Sequence, residues 1–225
     1  GPLDKVTNYE CFKVLYSSHA DKNFFEIAHT LDRQFGSGGM YRDIPLYNFA
    51  DNHDVNRVVN NLGKREYLYT LYPLLFTIPG IPSIYYGSEW GIEGEKTKYG
   101  DSVIRPELNR DVLFDTAPNP QLPKVLSKLA EIRKNSEALK RGEYAEALVE
   151  HQIFGYIRRY HNEEVLILIN SSDNEYAADI NQLQNISNTE SRWEDLLNPG
   201  EFFQPQETGN TVTLYPHWAR ILLRK

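Results

Sequence analysis

Between Leu46 and Asp54 the chain reads Leu-Tyr-Asn-Phe-Ala-Asp-Asn-His-Asp, a short run with Tyr and Phe that ends abruptly in four polar residues. This predicts a buried strand whose carboxyl end surfaces, where α/β sheets gather their ligand-binding groups. Further on, Gly80 to Glu89 (Gly-Ile-Pro-Ser-Ile-Tyr-Tyr-Gly-Ser-Glu) has the same texture. A helical segment lies between the two runs, so together they predict a strand–helix–strand unit.

Composition narrows what such a unit can serve. A formal charge of −7 and a pI near 5.4 argue against nucleic-acid binding, which needs a basic face. No apolar run approaches the roughly 18 residues of a membrane helix. The single cysteine, Cys11, rules out an internal disulfide framework and fits a reducing or disulfide-indifferent setting. No signal peptide is visible and Gly1-Pro2 looks like a remnant of tag cleavage, so a cytoplasmic location is slightly favoured and a secreted one stays open. The 15 tyrosines suit sugar stacking and equally a β-rich core.

Along the chain, Val6-Thr7-Asn8 reads as a strand end followed by a short helix. Asp21 is the expected cap of the next helix, whose apolar stripe is Phe24, Ile27, Ala28, Leu31 and Phe35, stopped by Gly36. A turn is expected around Asn60 to Gly63, then a helix over Lys64 to Phe76 that Pro73 should kink or bound. Ser83 to Tyr86 reads as a fully buried strand. Gly87 to Thr116 reads as a long polar connection, a length that suggests function. Asn119 is the expected cap of a helix striped by Leu122, Val125, Leu126, Leu129 and Ile132, with Pro120 near its first turn. From about Leu139 short strand-like runs alternate with turns: 145–149, 153–160, 165–170, 192–196, 211–214 and 219–223. That spacing predicts an antiparallel sandwich or barrel.

Taken alone, a triplet such as Asn52-His53-Asp54 is more often a turn closed by its own side chains than a catalytic site. The apolar run before it and the second matching run decide for a site. In this context Phe49 to Asp54 resembles the last conserved sequence region of the alpha-amylase family, glycoside hydrolase family 13. Ile81 to Glu89 resembles that family's eighth barrel strand and its exit loop, and Arg105-Pro106 resembles a feature the family carries after that strand.

The resemblance implies a fold class of α/β followed by all-β: an incomplete (β/α)8 barrel portion, about strands six to eight, over residues 1–138, and an antiparallel β-sandwich, the family's domain C, over 139–225. It implies that Asp54 is the transition-state stabiliser and that His53 binds hydroxyls of the sugar at the cleavage point. Tyr86 and Glu89 would line the eighth-strand exit, in a structural or a substrate-binding part. From chemistry alone, a carboxylate such as Asp54 stabilises an oxocarbenium-like charge and an imidazole such as His53 donates to a hydroxyl. Asn52 can orient that pair, and Arg57, about one turn on, can balance the charge of Asp54.

A retaining glycosidase needs two further carboxyls about 5 Å apart, and a complete barrel needs eight units and about 250 residues. Asp43, Glu66, Glu93, Glu95 and Asp101 sit on expected loops or helix surfaces and offer no substitute. The resemblance implies that the nucleophilic Asp and the acid/base Glu lie on the family's fourth and fifth strands, upstream of this stretch, so this chain alone is expected to be inert. The parent would act on α-glucan oligosaccharides. Two other readings compete: a binding module that stacks glucan on Trp90, Trp193 or Trp218, and a structural piece that pairs with itself or with the missing barrel half. Many relatives bind calcium, yet the sequence shows no loop of spaced oxygen ligands and no histidine spacing for a metal. No cofactor is evident.

Overall fold

The computed structural model describes residues 6–98, 100–204 and 209–225. It opens with helices α1 (Tyr9–Ala20) and α2 (Phe24–Phe35), packed on each other. Every residue of the expected α2 stripe is buried, and Gly36 ends the helix. Asp21 does not cap it. Its N–H donates to Ser17 O (2.8 Å) and so closes α1, while Lys22 turns the chain at a left-handed φ of 53°.

Strand β1 (Tyr47–Phe49) follows, then helices α3 (Val58–Leu62) and α4 (Leu68–Thr77), then β2 (Ile81–Ser83). β1 and β2 run parallel, with Tyr47 opposite Ile81, Asn48 opposite Pro82 and Phe49 opposite Ser83. Thr7 adds a parallel bridge on the other side of Tyr47, so three strand segments lie side by side in the order Thr7, β1, β2. Three expectations shift here. The turn at Asn60–Gly63 is helix α3, entered where the Val58 N–H donates to Asp51 Oδ2 (2.9 Å); the asparagines hide it because they favour turns. Pro73 lies inside α4 without ending it, and Thr77 Oγ1 donates to its carbonyl (2.6 Å). β2 stops at Ser83 and is only half-buried, because Tyr85 and Tyr86 leave the ladder to pack their rings on the Arg57 guanidinium, 4.2 and 5.1 Å from its carbon.

The long connection after β2 contains a 3₁₀ turn at Ser88–Trp90 and helix α5 (Arg110–Thr116), capped by the Asn109 side chain. α5 buries none of its residues, so no apolar stripe announces it. Helix α6 (Leu122–Asn135) carries the expected stripe, but its first turn holds Pro123 rather than Pro120. Asn119 does not cap it; its side chain accepts from Arg65 Nη1 (3.0 Å) instead. Helix α7 (Glu137–Arg141) leads into the β region.

That region holds β3 (Glu143–Val149), β4 (Ile153–Tyr160), β5 (Glu163–Asn170), β6 (Tyr176–Asp179), β7 (Trp193–Asp195), β8 (Phe202–Phe203), β9 (Thr211–Leu214) and β10 (Trp218–Arg224). Six of them form an antiparallel sheet in the order β3-β4-β5-β10-β7-β8, and β6 pairs with β9 in a second, smaller sheet. β6 and β8 were not legible as strands, being short, half exposed and flanked by polar residues. In β5, Val165, Ile167 and Ile169 join the core formed with the helices, whereas Leu166 and Leu168 join the core shared with β6 and β9. Strand alternation thus spreads one apolar run over both faces of the larger sheet.

Candidate active site

The chain leaves β1 through buried Ala50 and Asp51 and reaches the surface at His53 and Asp54. Asp51 anchors this exit. Its Oδ2 accepts from Ser88 Oγ (2.7 Å) and from the Val58 N–H, which ties the loop after β1 to the turn after β2. Burial pushes the Asp51 carboxyl above its usual range, and those two hydrogen bonds oppose the shift.

Above the anchor, Asn52 Oδ1 accepts the Asp54 N–H (2.8 Å), a side-chain turn that fixes the direction of Asp54. His53 Nε2 lies 3.2 Å from Asp54 Oδ2. Arg105 holds the other side: its Nη2 donates to Asp54 Oδ1 (3.2 Å) and its Nε to the His53 carbonyl (2.9 Å). The next residue, Pro106, accepts from the Tyr86 hydroxyl (3.0 Å). The Arg105-Pro106 pair therefore joins the exits of the two parallel strands. The His53 and Asp54 side chains are 60% and 52% exposed, open to a ligand from one side.

Arg57 does not balance Asp54. It is wholly buried, donates from Nη1 to the Tyr86 carbonyl (2.5 Å) and to Ser88 Oγ (3.1 Å), and makes no ion pair with Asp54. The cation on Asp54 is Arg105, which lies within the long connection after β2, where spacing gives no hint of it. Tyr86 lies half exposed at the strand exit. Glu89 sits within the 3₁₀ turn with Oε2 buried and unpartnered among the described residues. Asp51 and Ser88 are the positions that sequence reasoning left without a part. Their only signal is that both immediately follow the apolar runs.

The nearest carboxylate to Asp54 through a shared partner is Asp101, 3.2 Å from the same Arg105 Nη2. A guanidinium nitrogen therefore fills the space between the two acids, where a sugar would have to sit. Trp193 is fully buried in the sandwich core, Trp90 is buried against Phe114, and Trp218 donates Nε1–H to Asn198 Oδ1 (2.7 Å) beside Tyr69. Burial withdraws Trp90 and Trp193 from sugar stacking. Among the described residues no three His, Cys, Asp or Glu side chains gather as a metal-ligand set. No helix there is long and apolar enough to cross a membrane.

Parallel strands whose carboxyl ends share one polar mouth, followed by an antiparallel β-sandwich, define part of a (β/α)-barrel enzyme with an appended β domain. No family profile matches the sequence. The chain is 31% identical over 193 residues, 82% of its length, to a beta/alpha-amylase of Paenibacillus polymyxa, of which it spans 15%. It is 26% identical over 181 residues, 79% of its length, to a cyclomaltodextrinase of Thermoanaerobacter pseudethanolicus, of which it spans 28%. The alpha-amylase of Geobacillus thermoleovorans, solved with acarbose, superposes on 99% of the chain with a TM-score of 0.79 at 20% identity, the match taking in 48% of that structure. The chain belongs to the alpha-amylase family, glycoside hydrolase family 13, and corresponds to its last barrel strands together with the β domain that follows.

Proposed function

We propose that this chain supplies Asp54 and His53 to a retaining glycoside hydrolase acting on α-glucosidic bonds of starch-like oligosaccharides. Asp54, with Arg105 on one oxygen and His53 on the other, stands ready to stabilise the positive charge that develops at the anomeric carbon. The His53 ring bonds hydroxyls of the same sugar. Asn52 orients the pair, Arg57 fixes the second strand exit from below, and Tyr86 and Glu89 complete the mouth. The nucleophile and acid/base come from outside this chain; Asp101, which shares Arg105 Nη2 with Asp54, is held from it by that guanidinium. The observation that carries this reading is the parallel register of β1 and β2, with Arg105-Pro106 bridging their exits. Acarbose on the Geobacillus thermoleovorans amylase supports an α-glucan as the ligand class. Incubating the chain with a chromogenic maltooligosaccharide is expected to give no turnover above buffer. Turnover that disappears in Asp54→Asn would show that the chain completes the reaction by itself and overturn this division of labour.

A further inference from the structure

The short segment that joins α4 to β2 is gripped by two arginines with no acid between them. Arg158, on β4 and 1% exposed, donates to the carbonyls of Thr77 and Gly142, and its enclosed Nε has no partner among the described residues. Half-buried Arg133, on α6, donates to the carbonyls of Phe76 (2.6 Å), Ile78 and Gly80. Carbonyl dipoles solvate a guanidinium without cancelling its charge, and a buried charge is ordinarily paired. Neither arginine makes an ion pair among the described residues. Burial holds Arg133 at about 10, and burial together with the charge of Arg133 holds Arg158 at about 9, both below the ordinary 12.5.

Arg158 also forms part of the wall of a pocket of about 330 Å³, at the lower end of small-molecule sites. The other walls come from the loop before β1, from Pro79 and Gly80, and from the end of α7. Four cations line it against one carboxylate: Arg42, Lys140, Arg141 and Arg158 against Asp43. In a chain of formal charge −7 this is a local reversal of sign. At the surface Arg42 pairs with Glu143, and Lys140 (2.6 Å) and Arg141 (3.4 Å) share Glu137. Such solvent-exposed pairs are weak and reopen at little cost. The excess positive charge therefore belongs to the buried arginines, where a low dielectric extends its reach.

That excess selects the ligand. Cations are repelled, a neutral molecule leaves both guanidinium charges uncancelled, and a monocarboxylate cancels one. A phosphate monoester carries about −1.5 to −2 at neutral pH and accepts several charged N–H groups at once. An adjoining cavity of about 450 Å³ shares Arg42 and Arg141 with the pocket and adds Tyr160 and His161, whose rings meet edge to face. The body of such a ligand has a place there beside its phosphate. We propose that the pocket between α7, β4 and the segment joining α4 to β2 binds a phosphate group through Arg42, Lys140 and Arg141, with Arg158 as the buried counter-charge.

The site uses neither Asp54 nor His53, so it stands apart from the proposed function. The ¹⁵N-labelled chain is titrated with inorganic phosphate, AMP, adenosine and spermidine while amide shifts are followed. Saturable shifts at Gly80 and along 42–44 and 140–143 are expected with phosphate and AMP, and none with adenosine or spermidine. Equal affinity for phosphate and AMP shows that the phosphate alone is read; tighter binding of AMP puts the rest of the ligand in the adjoining cavity. Lys140→Gln combined with Arg141→Gln is expected to weaken binding roughly tenfold. Both side chains lie at the surface, so this variant folds. Lys13→Gln combined with Lys22→Gln, which removes the same charge from exposed positions outside the pocket, is expected to change nothing. No shift at these amides with phosphate or AMP overturns the site. Shifts there with adenosine or spermidine, or equal weakening in the Lys13 and Lys22 variant, overturn it as well.

Discussion

His19 lies wholly inside the helical core, its ring edge-on to Phe24 and beside Tyr67. Nδ1 donates to the Leu15 carbonyl (2.7 Å), so in the neutral ring Nε2 accepts from Thr70 Oγ1 (3.0 Å). Burial holds this imidazole at about 4, far below its ordinary 6.5, with the bond to Leu15 opposing the shift. The unfolded chain therefore takes up a proton near pH 6.5 that the folded chain refuses until about pH 4. Stability is lost as pH falls through that window, and the loss is complete below it. At about 1.4 kcal/mol per pH unit the penalty is about 2.5 kcal/mol at about pH 4.5 and about 3.5 kcal/mol at its limit. Urea unfolding of the chain and of His19→Gln, each at about pH 7 and about pH 4.5, isolates the effect, since all other groups titrate in both. The variant should be weaker at neutral pH yet lose about 2.5 kcal/mol less on acidification. Equal pH dependence in the two proteins, within about 0.5 kcal/mol, would refute the assignment of a neutral buried ring.

Two further outcomes are expected. The outer edges of Thr7 and β2 carry no strand partner among the described residues, and Val6, Tyr9 and Tyr47 are 52%, 55% and 41% exposed beside them. Light scattering should therefore show self-association that grows with concentration, and a monomer at every concentration argues against it. Burial pushes the Cys11 thiol up to about 12, so a disulfide reagent at about pH 8 should label it only at the rate of unfolding; rapid labelling of the folded chain contradicts that.

The parts legible in the sequence were those whose side chains repeat with the backbone's own period. The α2 and α6 stripes and the runs 153–160 and 211–214 stand where spacing placed them. The elements missed take their stability from elsewhere in the chain. α3 starts on the carboxylate of Asp51 and α5 hangs from the Asn109 cap. β6 and β8 are strands only because β9 and β7 lie beside them. At the candidate site, His53 and Asp54 were readable because they end an apolar run. Arg105 was readable only through family likeness, because the contact that gives it meaning crosses more than a whole strand–helix unit of chain. Arg57 points to a limit of proximity along the sequence: one helical turn from Asp54, it is drawn underneath by two tyrosine rings.

β5 sends alternate side chains into two different interiors. A sandwich with one wet outer surface can tolerate polar drift on every second residue; this strand has no such spare positions. Any exchange along 165–169 must be compatible with the helices on one side or with β6 and β9 on the other. The appended β domain is consequently bound to the barrel segment by shared atoms rather than by a linker, and the two can diverge only in step.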